Sequence, residues 1–249
     1  MRSKEVLQSL FEDYFPYAEG ERFSFDLLPA LNAFELRKFA RRFEHPLPPE
    51  ISDLLAYSRG FDFFAFDRID FTRHDLELAG AFEDPIDLTH DAFDNHWIVD
   101  INPQDGSWGK VFYVCHEPSV IILQAHNLSQ FLSQIASLAK NEEPNWINFI
   151  KEESAKHAWE AKDKLIPRDI AVRKGDPVLA EFAETLPPNY LIADMRQADW
   201  GDGFPWSLTG PEGDIIRAGA ELIFAIEAPV AEAKSKGLLG RLFNRKVTE

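Results

Sequence analysis

The chain has 249 residues, 45% hydrophobic and 27% charged, with a formal net charge of -16. That length supports one large domain or two small ones with a proper core, and the charge argues against non-specific binding to nucleic acid, whose phosphates would repel it. A single cysteine, Cys115, rules out a disulfide within one chain and fits a reducing compartment. The sequence also lacks an apolar run of about 18 residues and a charged-then-apolar leader, so the expected address is cytoplasmic.

Residues 3–15 place Val6, Leu7, Leu10, Phe11 and Tyr14 at helical spacing, with Ser3 as a cap and Pro16 as the stop. Glu21–Phe25 alternates like a short strand. A second helix is expected over Leu31–Phe43, with Leu31, Phe34, Leu36, Phe39 and Phe43 on its apolar side. Pro48 or Pro49 opens a third helix, where a missing N–H costs nothing. Ile51, Leu54, Leu55 and Tyr57 point to the core, and Gly60 is placed to close that helix in the left-handed conformation.

From Phe61 to Asp105 the chain carries twelve acids against two bases, ten of its sixteen net negative charges. The acids are interleaved with Phe61, Phe63, Phe64, Phe66, Phe71, Phe82, Phe93 and Trp97, which excludes a disordered acidic tail. Short strands with one buried face and one negative face suit this pattern. Charge at this density opposes compaction. It therefore reads as a surface for a basic protein partner, with Asp62, Asp67, Asp70, Asp75, Asp84, Asp87, Asp91 and Asp94 as the candidate partner-binding residues.

His96–Ile135 organises the chain. Trp97–Ile101 is an apolar strand, Asp105-Gly106 a two-residue hairpin signal, Lys110–Cys115 a second strand, and Val120–Leu123 a third after the break at Glu117-Pro118-Ser119. Asn127 then caps a helix carrying Leu128, Phe131, Leu132 and Ile135, with Gln130 placed to reach back. The result is an antiparallel β-meander flanked by helices, hence an α+β fold.

The run Glu35…Phe43, Leu47-Pro48 opening a helix and Ser58-Arg59-Gly60 closing it resembles the start of the SUKH superfamily. A strand ending in Asp100, a Gly-containing turn, Lys110-Val111-Phe112-Tyr113, His116 and a closing helix from Ala125 to Ile135 extend the likeness over roughly residues 31–138. Ser58-Arg59 stands where that family often has Asn-Gly. The resemblance implies a protein-binding module, either immunity-like and directed at a toxin domain, or regulatory, and not an enzyme.

The expected organisation is a SUKH-like domain over 1–140, a connecting helix within 141–168, a small α/β unit over 169–232 and a basic tail over 233–249. The linker helix, 145–165, carries Trp146, Phe149, Ile150, Trp159 and Leu165 on one side and is expected to be partly exposed. In the C-terminal unit, Asp176 caps a helix with Pro177 at its first position, and Trp206–Leu208 pairs with Ile215–Ile226 across Gly210–Gly213. Residues 234–246 hold five bases, no acids and four large apolar side chains. That combination suits weak contact with an anionic membrane, or a frayed end.

No motif signals catalysis. Adjacent residues on a strand face opposite ways, so Cys115 and His116 cannot form a dyad. His90, Asp91, Asp94 and His96 include ligand-type residues, and His90 and Asp94 would share a helical face. Their spacing matches no zinc or calcium pattern, so a solvated acidic turn is the preferred reading. The Trp200–Trp206 loop reads equally as a contact loop or as two rings tucked under a turn. No catalytic residue, metal or cofactor is expected. The rival reading is a metal-assisted hydrolase using the acidic stretch.

Overall fold

The computed structural model describes residues 2–12, 15–16, 22–63, 65–74, 80–209 and 213–229. The tail over 234–246 and the Gly210–Glu212 turn lie outside them. The fold is α+β, and among the described residues no helix is long and apolar enough to cross a membrane.

Helix α1 (Ser3–Glu12) buries Val6, Leu7 and Leu10. Strands β1 (Phe15–Pro16) and β2 (Arg22–Phe23) pair antiparallel, and β3 (Asp26–Leu27) follows. Helix α2 (Ala33–Ala40) is shorter than its apolar spacing predicts, because Asn32 and Glu35 close a capping box at its start. It buries only Phe39, and Phe34, expected inside, is exposed. Helix α3 (Pro49–Leu55) begins with Pro49 at its first position and buries Ile51, Leu54 and Leu55.

Gly60 does not end α3. It starts β4 (Gly60–Phe63), the middle strand between β3 and β5 (Asp67–Asp70). Backbone bonds from Tyr57 N and Ser58 N to Leu54 O close α3 instead, and the buried Ser58 hydroxyl donates to Leu28 O and accepts from Gly60 N, fixing the entry to β4. A Cβ at Gly60 would lie 2.0 Å from Ile69 O, so β4 and β5 can approach only with glycine here.

The meander is β6 (Ile86–His90), β7 (His96–Ile101), β8 (Trp108–His116) and β9 (Ser119–Ala125), all antiparallel. The β7–β8 connection spans residues 102–107, longer than the two-residue turn read from Asp105-Gly106. Asn102 and Asp105 each fold back to accept a backbone N–H two residues on, and Asn102 N bonds Ser107 O. These Asx turns hold a wider loop than a two-residue hairpin. Helix α4 (Leu128–Ala139) closes the meander with Asn127 as its cap; Gln130 reaches back to His126 N, one residue earlier than expected.

Helices α5 (Trp146–Phe149) and α6 (Ala155–Glu160), joined by a π-helical turn over Ile150–Ser154, form the linker helix. It buries Ile147, Ile150, Ala155 and Ala158 in the main core and keeps its charged side in water. Beyond it come β10 (Ile166–Pro167), α7 (Arg168–Ala171), α8 (Pro177–Thr185) and β11 (Tyr190–Asp194). Asp176 caps α8 and Pro177 sits at its first position, as read.

The hairpin expected for Trp206–Leu208 is corrected. Instead β12 (Gly203–Pro205) joins the edge of β9, completing a central sheet ordered β12-β9-β8-β7-β6. Trp206 anchors the departure, its N donating to Ser119 O and its indole to Cys115 O. Trp206 is buried, whereas Trp200 is half-buried, stacked on Trp146 at 4.5 Å. Only β13 (Ile215–Arg217) and β14 (Ile223–Glu227) form the hairpin, within a second sheet ordered β10-β11-β14-β13.

The central sheet is therefore covered on both sides, which corrects the expectation of one buried and one negative face. Trp97, Val99, Val111, Tyr113 and Cys115 face α1, α3 and α4. Ile98, Phe112, Val114, Ile121 and Leu123 pack on Phe204, Trp206 and Phe224. Asp100 lies on the second face and is buried. Arg217 grips it with two bonds of 2.7 and 2.9 Å while resting over Phe82 and Phe224. Burial pushes the Asp100 carboxyl above its ordinary value despite the opposing pull of Arg217.

Removing one partner of a buried pair strands the other charge. Arg217→Ala should cost about 3–5 kcal/mol in urea unfolding, and Asp100→Leu combined with Arg217→Met should recover most of that loss. A loss under about 1 kcal/mol for Arg217→Ala would place the pair in effective contact with water.

Candidate functional site

Of the acidic stretch, Asp91 and Asp94 lie in the turn between β6 and β7, residues 91–95. Asp91 builds this turn. Its Oδ1 accepts from Phe93 N (3.0 Å), Asn95 N (3.2 Å) and Asn95 Nδ2 (3.1 Å), and its Oδ2 meets Lys151 Nζ at 2.9 Å. Burial pushes the Asp91 carboxyl up, but Lys151 and the donors from Asn95 and Phe93 outweigh it and hold it below the usual range. Asn95 Oδ1 accepts from His116 N at 3.2 Å and ties the turn to β8. Asp94 takes a left-handed backbone, φ 60°, which aspartate tolerates. This places Phe93 (80% exposed) and Asp94 (side chain 78% exposed) at the tip.

Strand register gathers three imidazoles beside the tip. His90 pairs with His96, His96 with Val114, and His116 lies two residues beyond Val114, so all three share one face at one end of the sheet. His90 and Asp94, which would share a face only in a helix, sit on a strand end and in a turn. His96 is buried between two carboxylates, with Nδ1 3.1 Å from Asp87 Oδ1 and Nε2 3.1 Å from Asp94 Oδ1. Burial pushes His96 down, but the bonds and charge of Asp87 and Asp94 outweigh it and raise it above its ordinary value. Asp87 is 1% exposed, and Arg73 holds it with Nη2 3.0 Å from Oδ1 and with Nε bonded to its backbone carbonyl. His116 is exposed and meets the Trp206 ring edge-on at 5.9 Å.

Two overlapping trios, Asp87–His90–His96 and Asp94–His96–His116, each bring one ligand atom per residue within 4.8 Å of one another. Imidazole nitrogen with carboxylate oxygen is a donor set suited to divalent zinc, nickel or copper. Cys115, on the opposite face, is buried, and its thiol is pushed up by that burial, as befits a packing residue. An open cleft of about 580 Å³, lined by Phe149, His157, Asp194 and Trp200 among others, shares no residue with the histidine cluster.

The eight candidate acids do not form one face. Asp62 pairs with Arg68 at 2.8 Å, and Asp70 accepts from Thr72 beside Arg59. Asp84 and Asp94 are exposed. Asp87 points inward and Asp91 is spent on the turn and Lys151, so these two are corrected from surface to structural residues. Asp67 lies on β5 with its side chain outside the described residues, and Asp75 lies outside them altogether. Charge density without structural need is also corrected. Arg59, Lys151 and Arg217, all from outside the stretch, answer Asp70, Asp91 and Asp100. Neither Lys151 nor the joining of His116 to the histidines of β6 and β7 was read from the sequence; the β7–β8 register was the signal for His116, and Lys151, on the linker helix, had none.

The chain finds no match among protein-family models, curated proteins or solved structures.

Because Asp91 holds the turn from within, Asp91→Ala should lower stability by about 2–4 kcal/mol in urea unfolding. Asp94→Asn, at an exposed position where asparagine also accepts the left-handed backbone, should cost less than about 1 kcal/mol. Equal losses would mean that the carboxylate of Asp91 does not organise the turn.

Proposed function

We propose that the chain is a non-catalytic protein-binding module that engages a basic protein partner in the cytoplasm through the 91–95 tip. The observation that carries this reading is Phe93, an aromatic ring 80% exposed on a turn that Asp91 makes rigid. A pre-ordered aromatic beside charge is the usual make-up of a binding anchor: the ring supplies buried area at little entropic cost, and the charge steers the encounter. Asp94 stands beside it, and Asp84 is exposed on the segment leading into β6. The likeness to the SUKH superfamily supports an immunity-like or regulatory role, with a cationic toxin domain as the partner class.

A second reading, metal-assisted hydrolysis, has one observation in its favour, the imidazole–carboxylate cluster beside the tip. Metal-dependent turnover of a phosphodiester or peptide substrate by the purified chain would establish it over the first.

The test uses the partner captured from the native host and then purified. Phe93→Ala should weaken binding by at least about tenfold, chiefly through faster dissociation. The double variant Asp84→Asn, Asp94→Asn should associate more slowly and depend less on salt. Unchanged rates and salt slopes for both variants would move the interface elsewhere.

A further inference from the structure

We propose that Asp94, His96 and His116 form a site for one divalent transition-metal cation of the zinc type, with Asp87 as the support that orients His96. The inference is independent of the partner-binding reading. A carboxylate only accepts hydrogen bonds, and a neutral imidazole donates from only one of its nitrogens. His96 has carboxylate oxygens 3.1 Å from both nitrogens, so a cation, either a second proton or a metal ion, must sit on one side.

The two sides differ. Asp87 is 1% exposed and fixed by Arg73, a permanent acceptor for Nδ1–H. With Nδ1–H committed to Asp87, Nε2 is the nitrogen at which a metal ion would replace the proton facing Asp94, the carboxylate–histidine–metal arrangement of many metal sites. The 3.1 Å separation of Nε2 from Asp94 Oδ1 is near the edge of about 3.3 Å expected between ligands on a tetrahedral zinc with bonds near 2.0 Å.

His116 supplies the third ligand. Its nitrogen lies within 4.8 Å of the other two ligand atoms, and its ring rests on the edge of Trp206. Asp94 and His116 are both exposed, so their side chains can close on an ion arriving from solvent. A fourth position is left for water or for a side chain of another molecule. The trio with His90 is disfavoured, because it would draw on Asp87, whose carboxylate already answers Arg73 out of reach of solvent. Two nitrogens and one oxygen favour zinc, nickel or copper over magnesium or calcium.

The test titrates the full chain, purified without a histidine tag, with zinc chloride alone, following heat of binding and melting temperature at neutral pH. The expected result is one zinc per chain, a raised melting temperature, and no response to magnesium. His116→Ala and Asp94→Asn should each weaken zinc binding by at least about tenfold, and His90→Ala should leave it within about threefold. Both lost ligands are exposed, and each variant's melting temperature without zinc confirms that it folds. Absence of zinc binding by the wild-type chain, wild-type affinity in His116→Ala, or an equal loss in His90→Ala would each overturn the assignment.

Discussion

Burial of both faces of the central sheet constrains everything around it. All six residues of β7 are buried, so each polar side chain that it or its neighbours carry inward must find a partner inside the protein. Asp100 finds Arg217, Asp87 finds Arg73 and His96, and Gln124 accepts from Trp97 Nε1 and donates to Gln134. The first of these reaches across the interface between the central sheet and the C-terminal unit. Strand β12 crosses the same boundary by backbone pairing, so the C-terminal unit supplies part of the sheet that it covers.

Where this cover ends, side chains reach solvent. The β6–β7 turn projects past the packed sheet, and its shape is set from below by Asp91, Asn95 and Lys151. Lys151 comes from the π-helical turn of the linker helix and also lies over the Trp97 ring. The linker helix is thus part of the turn's support as well as a connector. Trp206, from the C-terminal unit, sets the edge against which His116 rests. The meander and the linker helix together position one short turn, which leaves Phe93 and Asp94 exposed.

Much of the scaffold was legible in the sequence because local chemistry decides it. Asn127 and Asp176 mark helix starts through bonds made within four residues, and Pro177 through its missing N–H at the first position, and the meander strands follow from β-branched runs between turn residues. Side-chain direction was legible for Cys115 and His116, since alternation along a strand needs no tertiary knowledge. The fate of the acids was not. Asp87, Asp91 and Asp94 look alike in sequence, yet one is buried, one builds a turn and one meets solvent. Asp87 pairs in register with Ile98, on the face that residues 203–227 return to cover, and Asp91 meets Lys151 of the linker helix; no local pattern announces either. The histidine cluster was hidden for a related reason. His116 lies twenty residues from His96 and joins it only through the β7–β8 register.

The C-terminal unit and the central sheet, joined by β12 and by Arg217 on Asp100, are expected to form one cooperative body. Native-state hydrogen exchange of the free chain tests it most directly, because it assigns an opening free energy to each strand. Amides of β7, β8 and β9 should exchange with the same free energy, equal to that of global unfolding, as those of β11 and β14. Exchange of β11 and β14 at a clearly lower free energy, with β7 and β8 still protected, would contradict the account by showing that the cover opens while the sheet stays folded.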